Sequence, residues 1–146
     1  IDMSSVYEGQ SQSTLRGVAL LPSNEVLIQD QLSGLTPGTR VRWGMITRAE
    51  TGTEGGPSIG LRQGDARLEL TILSPNDVAW KQIDTATPRQ EWDSPNRDTR
   101  LVAFEAIAPD SGELTLGVLA TPGSCNESAR KSLRLRNLNQ WKTSSE

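Results

Sequence analysis

The sequence predicts an all-β protein, an antiparallel β-sandwich of about 8–10 strands with little or no helix. Three observations lead to this prediction. Apolar and polar residues alternate with a period of two in most segments of the chain. Turn-forming residues, including many of the 13 glycines and 8 prolines, separate these segments. No segment of any length shows the apolar spacing of an amphipathic helix.

The longest alternation covers residues 39–50, with the sequence TRVRWGMITRAE. Val41, Trp43 and Met45 face one side of an extended chain, and most of the charged residues face the other side. A helix would place Trp43 nearly opposite Val41 and Met45. We therefore expect a central strand of the sandwich, with Trp43 in the core and a charged face toward solvent.

The other strands are predicted from shorter alternations between turn residues, and residues 22–24 and 64–65 are expected to form hairpin turns. Residues 1–12 are expected to form a lead-in or an edge strand, and residues 85–98 and 122–130 to form loops. The predicted strands cover residues 14–21, 25–32, 39–50, 58–63, 65–74, 78–84, 99–107, 113–121 and 131–138.

Three residues carry more specific expectations. Asp30 shares a strand face with apolar residues, so its carboxylate needs an Arg or backbone N–H groups as a partner if it is buried. Gly17 indicates a bulge, or a place where another backbone approaches the strand closely. Trp141, near the end of the sequence, is predicted to be a C-terminal anchor.

The length and composition of the chain exclude several classes of functional site. The 146 residues suffice for one domain, which we expect to span residues 1–146. The chain has one Cys and no His, which excludes a Ser-His-Asp triad, a Cys-His pair and a His-ligated metal within it. We expect no metal and no cofactor. The net charge of −3 argues against nucleic-acid binding, and no apolar run approaches the roughly 20 residues of a membrane span.

Three tryptophans lie in predicted strands or loops. Trp43 and Trp80 alternate with apolar residues and are predicted to be core residues. Trp92 lies in the polar loop segment EWDSPN. One interpretation is that it stacks on a sugar or docks on another domain, and the alternative is that it holds the loop in place. Asn96 and Arg97 are the candidate saccharide contacts beside Trp92.

Arginine makes up 12 of the 15 basic residues. Arg40, Arg42 and Arg48 share the polar side of the strand predicted at 39–50. A guanidinium group suits planar recognition of carboxylates, so these residues are candidates for binding an anionic polysaccharide or an acidic partner domain. The alternative is cross-strand pairing with Glu or Asp.

Six segments of the chain form an ordered set: DMSSVYEGQ, LRGVALLPSNEVLIQDQL, VRWGMITRAE, LRQGDARLELTILSP, LGVLATP and LNQW. Taken together and in this order, they resemble the C-terminal β-sandwich region of the heparinase II/III-like polysaccharide lyases. The resemblance covers most of the chain. One departure is Ile46, which stands where many members carry a His, so any role of that His is absent here.

The resemblance implies a function. In these lyases an N-terminal helical toroid holds most of the catalytic machinery, which cleaves uronate-containing chains by β-elimination with a Tyr or His as base or acid. This chain has no His, and its only Tyr, Tyr7, lies in the polar lead-in. The resemblance therefore implies an accessory domain without catalytic residues, at the C-terminal end of an exported bacterial enzyme in the periplasm or outside the cell.

Such a domain is expected to brace the upstream catalytic domain of the same polypeptide and to contact anionic polysaccharide. One alternative is a free-standing carbohydrate-binding module, which would bind saccharide without another domain. The other is a structural or adhesive β-sandwich of the immunoglobulin-like type, which would bind no saccharide.

Overall fold

Nine β-strands in the described residues form two antiparallel sheets, which confirms the predicted all-β sandwich. The computed structural model describes residues 1–87, 96–123 and 133–141. Strand accounts for about 51% of the structure, and the described residues contain no helix of 7 or more residues. The strands are β1 Ser13–Leu20, β2 Val26–Ser33, β3 Arg40–Thr47, β4 Glu50–Thr51, β5 Ser58–Gln63, β6 Ala66–Ser74, β7 Lys81–Asp84, β8 Arg100–Ile107 and β9 Leu114–Pro122.

The two sheets differ in size. The larger sheet has six strands in the order β1-β2-β9-β6-β5-β4, and the smaller sheet has three in the order β3-β8-β7. Because three strands cannot cover six, part of the inner face of the larger sheet extends beyond the smaller one. Val18 and Leu20 of β1 lie on this inner face, opposite Ile28 and Val26, and are 55% and 72% exposed.

Both predicted hairpin turns are confirmed. β1 pairs with β2 up to Leu20 opposite Val26, and Asn24 in the turn has a φ of 63°. β5 pairs with β6 up to Gln63 opposite Ala66, with Gly64 at a φ of 59°. Asn and Gly are residue types that tolerate this left-handed conformation, so the turn residues determine the register of both hairpins.

The strand that carries Trp43 is an edge strand, so the prediction of a central strand is wrong. Within the described residues, β3 pairs only with β8. Alternation shows which side of a strand is buried, but it does not show how many neighbours the strand has. A central strand covered on both faces is instead mostly apolar, as in β9. Seven of its nine residues are buried, with Thr115 and Pro122 half-buried.

The core joins aromatic residues of the smaller sheet to aliphatic residues of the larger sheet. Trp43 and Phe104 stack with ring centroids 5.9 Å apart, and Trp80 meets both edge-on at 5.6 and 5.3 Å. Trp80 Nε1 donates a hydrogen bond to the carbonyl oxygen of Pro57 at 3.0 Å. The predicted core positions of Trp43 and Trp80 are therefore confirmed. The aliphatic side of the core includes Ile59, Leu70, Ile72, Leu116 and Val118.

The ends of the described chain pack onto β1 and its neighbours. Residues 1–12 contain a 3₁₀ helix at Ser4–Tyr7 and a single bridge between Asp2 and Leu15, so they form a lead-in and not an edge strand. Of the loops predicted at 85–98 and 122–130, residues 88–95 and 124–130 lie outside the described residues.

The prediction of a strand at residues 131–138 is wrong for residues 133–138, the part of that range that the structure describes. Residues 133–137 have no regular secondary structure, and a 3₁₀ helix follows at Leu138–Gln140. The segment lies on the outer face of the larger sheet, where Gln29 Nε2 donates to the carbonyl oxygen of Arg136 at 2.7 Å. An extended segment that packs one of its sides against a sheet has the same alternation of apolar and polar residues as a strand within the sheet.

Two glycines make room for this C-terminal segment. A Cβ atom at Gly17 would lie 2.5 Å from Leu138 Cδ2 and 2.8 Å from the Trp141 ring. A Cβ atom at Gly117 would lie 2.7 Å from Leu135 Cδ1. Gly17 is therefore closely approached, but by the side chains of Leu138 and Trp141 and not by another backbone as expected. Trp141 packs against Gly17 as an anchor.

We expect Gly17→Ala to destabilise the protein, because the added methyl group must displace Leu138 and Trp141. Overpacking of this kind costs about 1–3 kcal/mol, which urea unfolding would measure. Gly60→Ala is the matched control, since a Cβ atom there meets nothing within 4 Å. It should be neutral or raise the free energy of unfolding by about 0.5–1 kcal/mol. Equal effects at both positions would contradict the packing described for the C-terminal segment.

Candidate functional site

The six residues selected from the sequence fall at different places. Arg40 pairs with Ile107 at one end of the β3–β8 ladder, and Thr47 pairs with Arg100 at the other end. Arg48 follows Thr47, so it lies near the second end and not in a row with the other two arginines. Asn96 and Arg97 also lie near the second end, shortly before β8. Trp92 lies outside the described residues.

The three-arginine row is incomplete because β3 ends at Thr47. Arg42 and Arg48 are six positions apart in the sequence, or roughly 20 Å of extended chain. The structure therefore brings Arg40 and Arg42 together and places Arg48 elsewhere. Arg48 lines a surface depression with Asp84, Asp98 and Arg100.

The backbone around Asn96 is fixed by hydrogen bonds. Its N–H donates to the carbonyl oxygen of Thr85 at 2.9 Å, and its own carbonyl oxygen accepts from Thr99 Oγ1 at 2.8 Å. The Asn96 and Arg97 side chains are exposed. Nearby, hydrogen bonds from the Thr87 hydroxyl and from backbone N–H groups lower the pKa of Asp84. This end of the smaller sheet thus carries charges of both signs.

The other end of the smaller sheet carries what we call the cationic face, formed by Arg40, Arg42 and Lys81 around Glu105. Arg42 donates from Nε and Nη2 to Glu105 Oε1 at 3.0 and 2.6 Å. Arg40 Nη1 and Lys81 Nζ lie 4.0 Å from Glu105 Oε2. The predicted alternative of cross-strand pairing is therefore present, but three cations share one carboxylate, which leaves an excess of two positive charges.

The positive charges of the cationic face favour the ionised form of Glu105. The hydrogen bond from Arg42 lowers the pKa of the Glu105 carboxyl, and the charges of Arg42, Arg40 and Lys81 lower it further. The side chains of Arg40 and Lys81 are 68% and 64% exposed. They are therefore available to an anionic ligand in solvent.

A cleft between the two sheets adjoins Arg40 and Arg42, and we call it the inter-sheet cleft. It has a volume of about 290 Å³ and is lined by β3 on one side and by β1 and β2 on the other. The lead-in and the loop between β2 and β3 complete its lining through residues that include Tyr7, Gln10, Ser11, Leu35 and Thr39.

An ion pair lies at the wall of the inter-sheet cleft. Arg16 Nε and Nη2 donate to the two carboxylate oxygens of Asp30 at 2.6 and 2.8 Å. Asp30 is only 3% exposed, whereas 36% of the Arg16 side chain is exposed. The hydrogen bond to Asp30 raises the pKa of Arg16, so this guanidinium remains charged at neutral pH. The expectation that Asp30 meets an Arg if buried is confirmed.

Trp43 also lines the inter-sheet cleft and is 4% exposed. Its Nε1–H has no hydrogen-bond partner among the described residues. A buried donor without an acceptor costs about 1–3 kcal/mol, so this indole marks a position where an acceptor would be stabilising.

Sequence reasoning missed the inter-sheet cleft. The lining residues are spread over the lead-in and four strands, so no local motif contains them. One signal was available, because the hairpin at residues 22–24 places Arg16 opposite Asp30. Tyr7, by contrast, carried no sequence signal for a role at the cleft.

Among the described residues, no group of three or more His, Cys, Asp and Glu side chains is arranged to hold a metal ion. The described residues also include no helix that is long and apolar enough to cross a membrane. No protein-family model matches the chain, and no curated protein matches it. The resemblance to the heparinase-like lyases therefore depends on the sequence segments alone.

We expect Arg42→Gln to raise the pKa of Glu105 toward its ordinary value, because the largest cause of the lowered pKa is the hydrogen bond from Arg42. A pH titration of the Glu105 carboxyl ¹³C signal by NMR would measure this change. A carboxyl with a lowered pKa adds stability above its ordinary pKa, and the gain is lost as the pH falls through the lowered value.

Lys81→Gln is the control for the Glu105 titration. Lys81 is 4.0 Å from the carboxylate and is the smallest of the causes that lower this pKa. It should move the pKa of Glu105 much less than Arg42→Gln does. An equal rise in both variants would contradict the described geometry of the cationic face.

Proposed function

We propose that this chain is an accessory, non-catalytic β-sandwich domain of a polysaccharide lyase, which contacts an anionic polysaccharide and braces the catalytic domain. The charge excess of the cationic face carries the proposal. Arg40, Arg42 and Lys81 surround the single carboxylate of Glu105, although the whole chain has a net charge of −3. A local excess of exposed cations on an acidic protein fits a polymer that carries regularly spaced carboxylates.

The chemistry of the arginines supports this ligand class. Each guanidinium has five N–H donors in a planar fork, and Glu105 occupies only two donors of Arg42. Within the described part of the chain, no other hydrogen bond occupies the remaining donors of Arg40 and Arg42, which suits them to bind uronate carboxylates. Hydrogen bonds between charged partners are stronger than neutral ones and weaken with added salt when they are exposed.

The uncovered part of the larger sheet supports the bracing role. Val18 and Leu20 lie on its inner face beyond the smaller sheet and are largely exposed. Exposed apolar surface of this kind favours contact with another protein domain, which a free-standing binding module does not need. The resemblance to the lyases supports the identity of that domain, as well as export to the periplasm or the cell surface of a bacterium.

We expect the isolated chain to bind uronate-rich oligosaccharides, such as those of alginate, heparan sulfate or hyaluronan, in a saturable and salt-sensitive way. Calorimetric titration at low and moderate salt would measure the affinity. The double variant Arg40→Ala, Arg42→Ala should weaken binding at least tenfold, because a hydrogen bond to a charged group contributes about 1.5–3 kcal/mol.

The control removes two arginines from the other sheet. Arg62 and Arg67 are both exposed and lie opposite each other on β5 and β6. The double variant Arg62→Ala, Arg67→Ala has the same net charge as the test variant and should retain affinity within about threefold. Equal losses would show an effect of net charge and not of the cationic face. No saturable binding by the folded protein would overturn the proposed polysaccharide contact.

A further inference from the structure

The inter-sheet cleft combines a partly exposed ion pair, an unpartnered indole and hydroxyl groups beside the cationic face. We propose that this cleft binds the terminal uronate residue of an anionic saccharide chain. The inference rests on the proposed function and adds to it a defined pocket and recognition of a chain end. The charge, size and hydrogen-bonding groups of the cleft each support this ligand.

The charged groups of the cleft lining suit a carboxylate ligand. Within the cleft, Arg16 is paired with Asp30, and it has N–H groups that Asp30 does not occupy, since Asp30 accepts from Nε and Nη2 only. Arg40 and Arg42 lie on the edge strand β3, and their side chains lie on its exposed face beside Glu105. The excess positive charge therefore lies at the rim of the cleft.

The size of the cleft favours one sugar ring over a polymer lying through it. Its volume of about 290 Å³ is at the small end of ligand pockets, which range from roughly 300 to 1,000 Å³. Leu32, Val41 and Leu116 supply apolar surface for the C–H face of a ring, and hydroxyl groups such as that of Tyr7 can pair with sugar hydroxyls. The neighbouring Arg40 and Arg42 then meet the next residues of the same chain.

The indole of Trp43 supplies the remaining recognition element. Its Nε1–H is buried and has no partner among the described residues, although hydrogen-bonding groups in this position are normally satisfied. Sugar hydroxyl and carboxylate oxygens are acceptors that could satisfy it. A ligand that binds in the cleft should therefore change the NMR signal of this one indole.

The test uses glucuronate, glucose and benzoate with the ¹⁵N-labelled protein. Glucuronate should shift the Trp43 indole N–H signal in a saturable way, while glucose at the same concentration should not, since it lacks the carboxylate. Benzoate distinguishes a uronate site from a general site for small ring carboxylates. Trp43→Phe removes one indole signal and so identifies it, and this variant should bind glucuronate about threefold to tenfold more weakly.

Gln10→Trp provides a variant that does not alter the core. Gln10 is exposed and lines the cleft, so a large side chain there should obstruct the cleft and weaken glucuronate binding at least about tenfold. Gln63→Trp is the matched control, because Gln63 is also exposed but lies at the end of β5, outside the cleft lining. It should leave the affinity unchanged.

The outcomes separate this inference from the proposed function. Oligosaccharide binding that depends on Arg40 and Arg42 but is unaffected by Gln10→Trp would overturn the cleft site and leave the proposed function intact. Binding of benzoate without glucuronate would overturn the uronate assignment. Binding of neither glucuronate nor oligosaccharides would overturn both proposals.

Discussion

The packing of Trp43, Trp80 and Phe104 determines how the two sheets meet. All three aromatic residues come from the smaller sheet or its connections, and the larger sheet supplies mainly aliphatic partners. Large rings in two strands of the smaller sheet and directly before the third allow this small sheet to bury much of the larger one, because each ring buries roughly 150–250 Å². Trp43 has a second role, since it stands on an edge strand and therefore also lines the inter-sheet cleft.

The unequal sheets explain why the candidate binding surfaces lie where they do. A sheet of equal width would cover β1 and the adjoining part of β2, and the inter-sheet cleft would be absent. Instead, the cleft opens beside β3, where Arg16 and Asp30 form a partly exposed ion pair and Arg40 and Arg42 begin the cationic face. The exposure of Val18 and Leu20 on the uncovered part of the larger sheet has the same origin.

The sequence predicted the fold class and most strands because both depend on local patterns. Turn residues specified the hairpins, and the alternation of apolar and polar residues showed that the side chains of Trp43 and Trp80 are buried. Position within a sheet depends on distant strands, so β3 was predicted as central although it is an edge strand. The alternation of Leu133 and Leu135 was misread because a segment lying on a sheet buries every second residue without joining its ladder.

The candidate site was predictable only in part. Exposure of Arg40 and Arg42 followed from the alternation of β3, and pairing with an acidic residue across the strands was one of the stated alternatives. Arg48 was grouped with them because the sequence does not show where β3 ends. The inter-sheet cleft depends on the relative widths of two sheets, which no local pattern encodes. Its acidic residue, Asp30, was nevertheless recognised as needing a partner.

The central claim is that anionic saccharide binds beside β3. The most direct measurement is a map of backbone amide shifts in the ¹⁵N-labelled chain as a uronate tetrasaccharide is added. We expect the shifts to cluster in residues 7–16 and 39–44 and around Glu105, which border the inter-sheet cleft and the cationic face. Shifts centred instead on Arg48, Asn96 and Arg97, at the opposite end of the smaller sheet, would contradict the claim, as would no shifts at all.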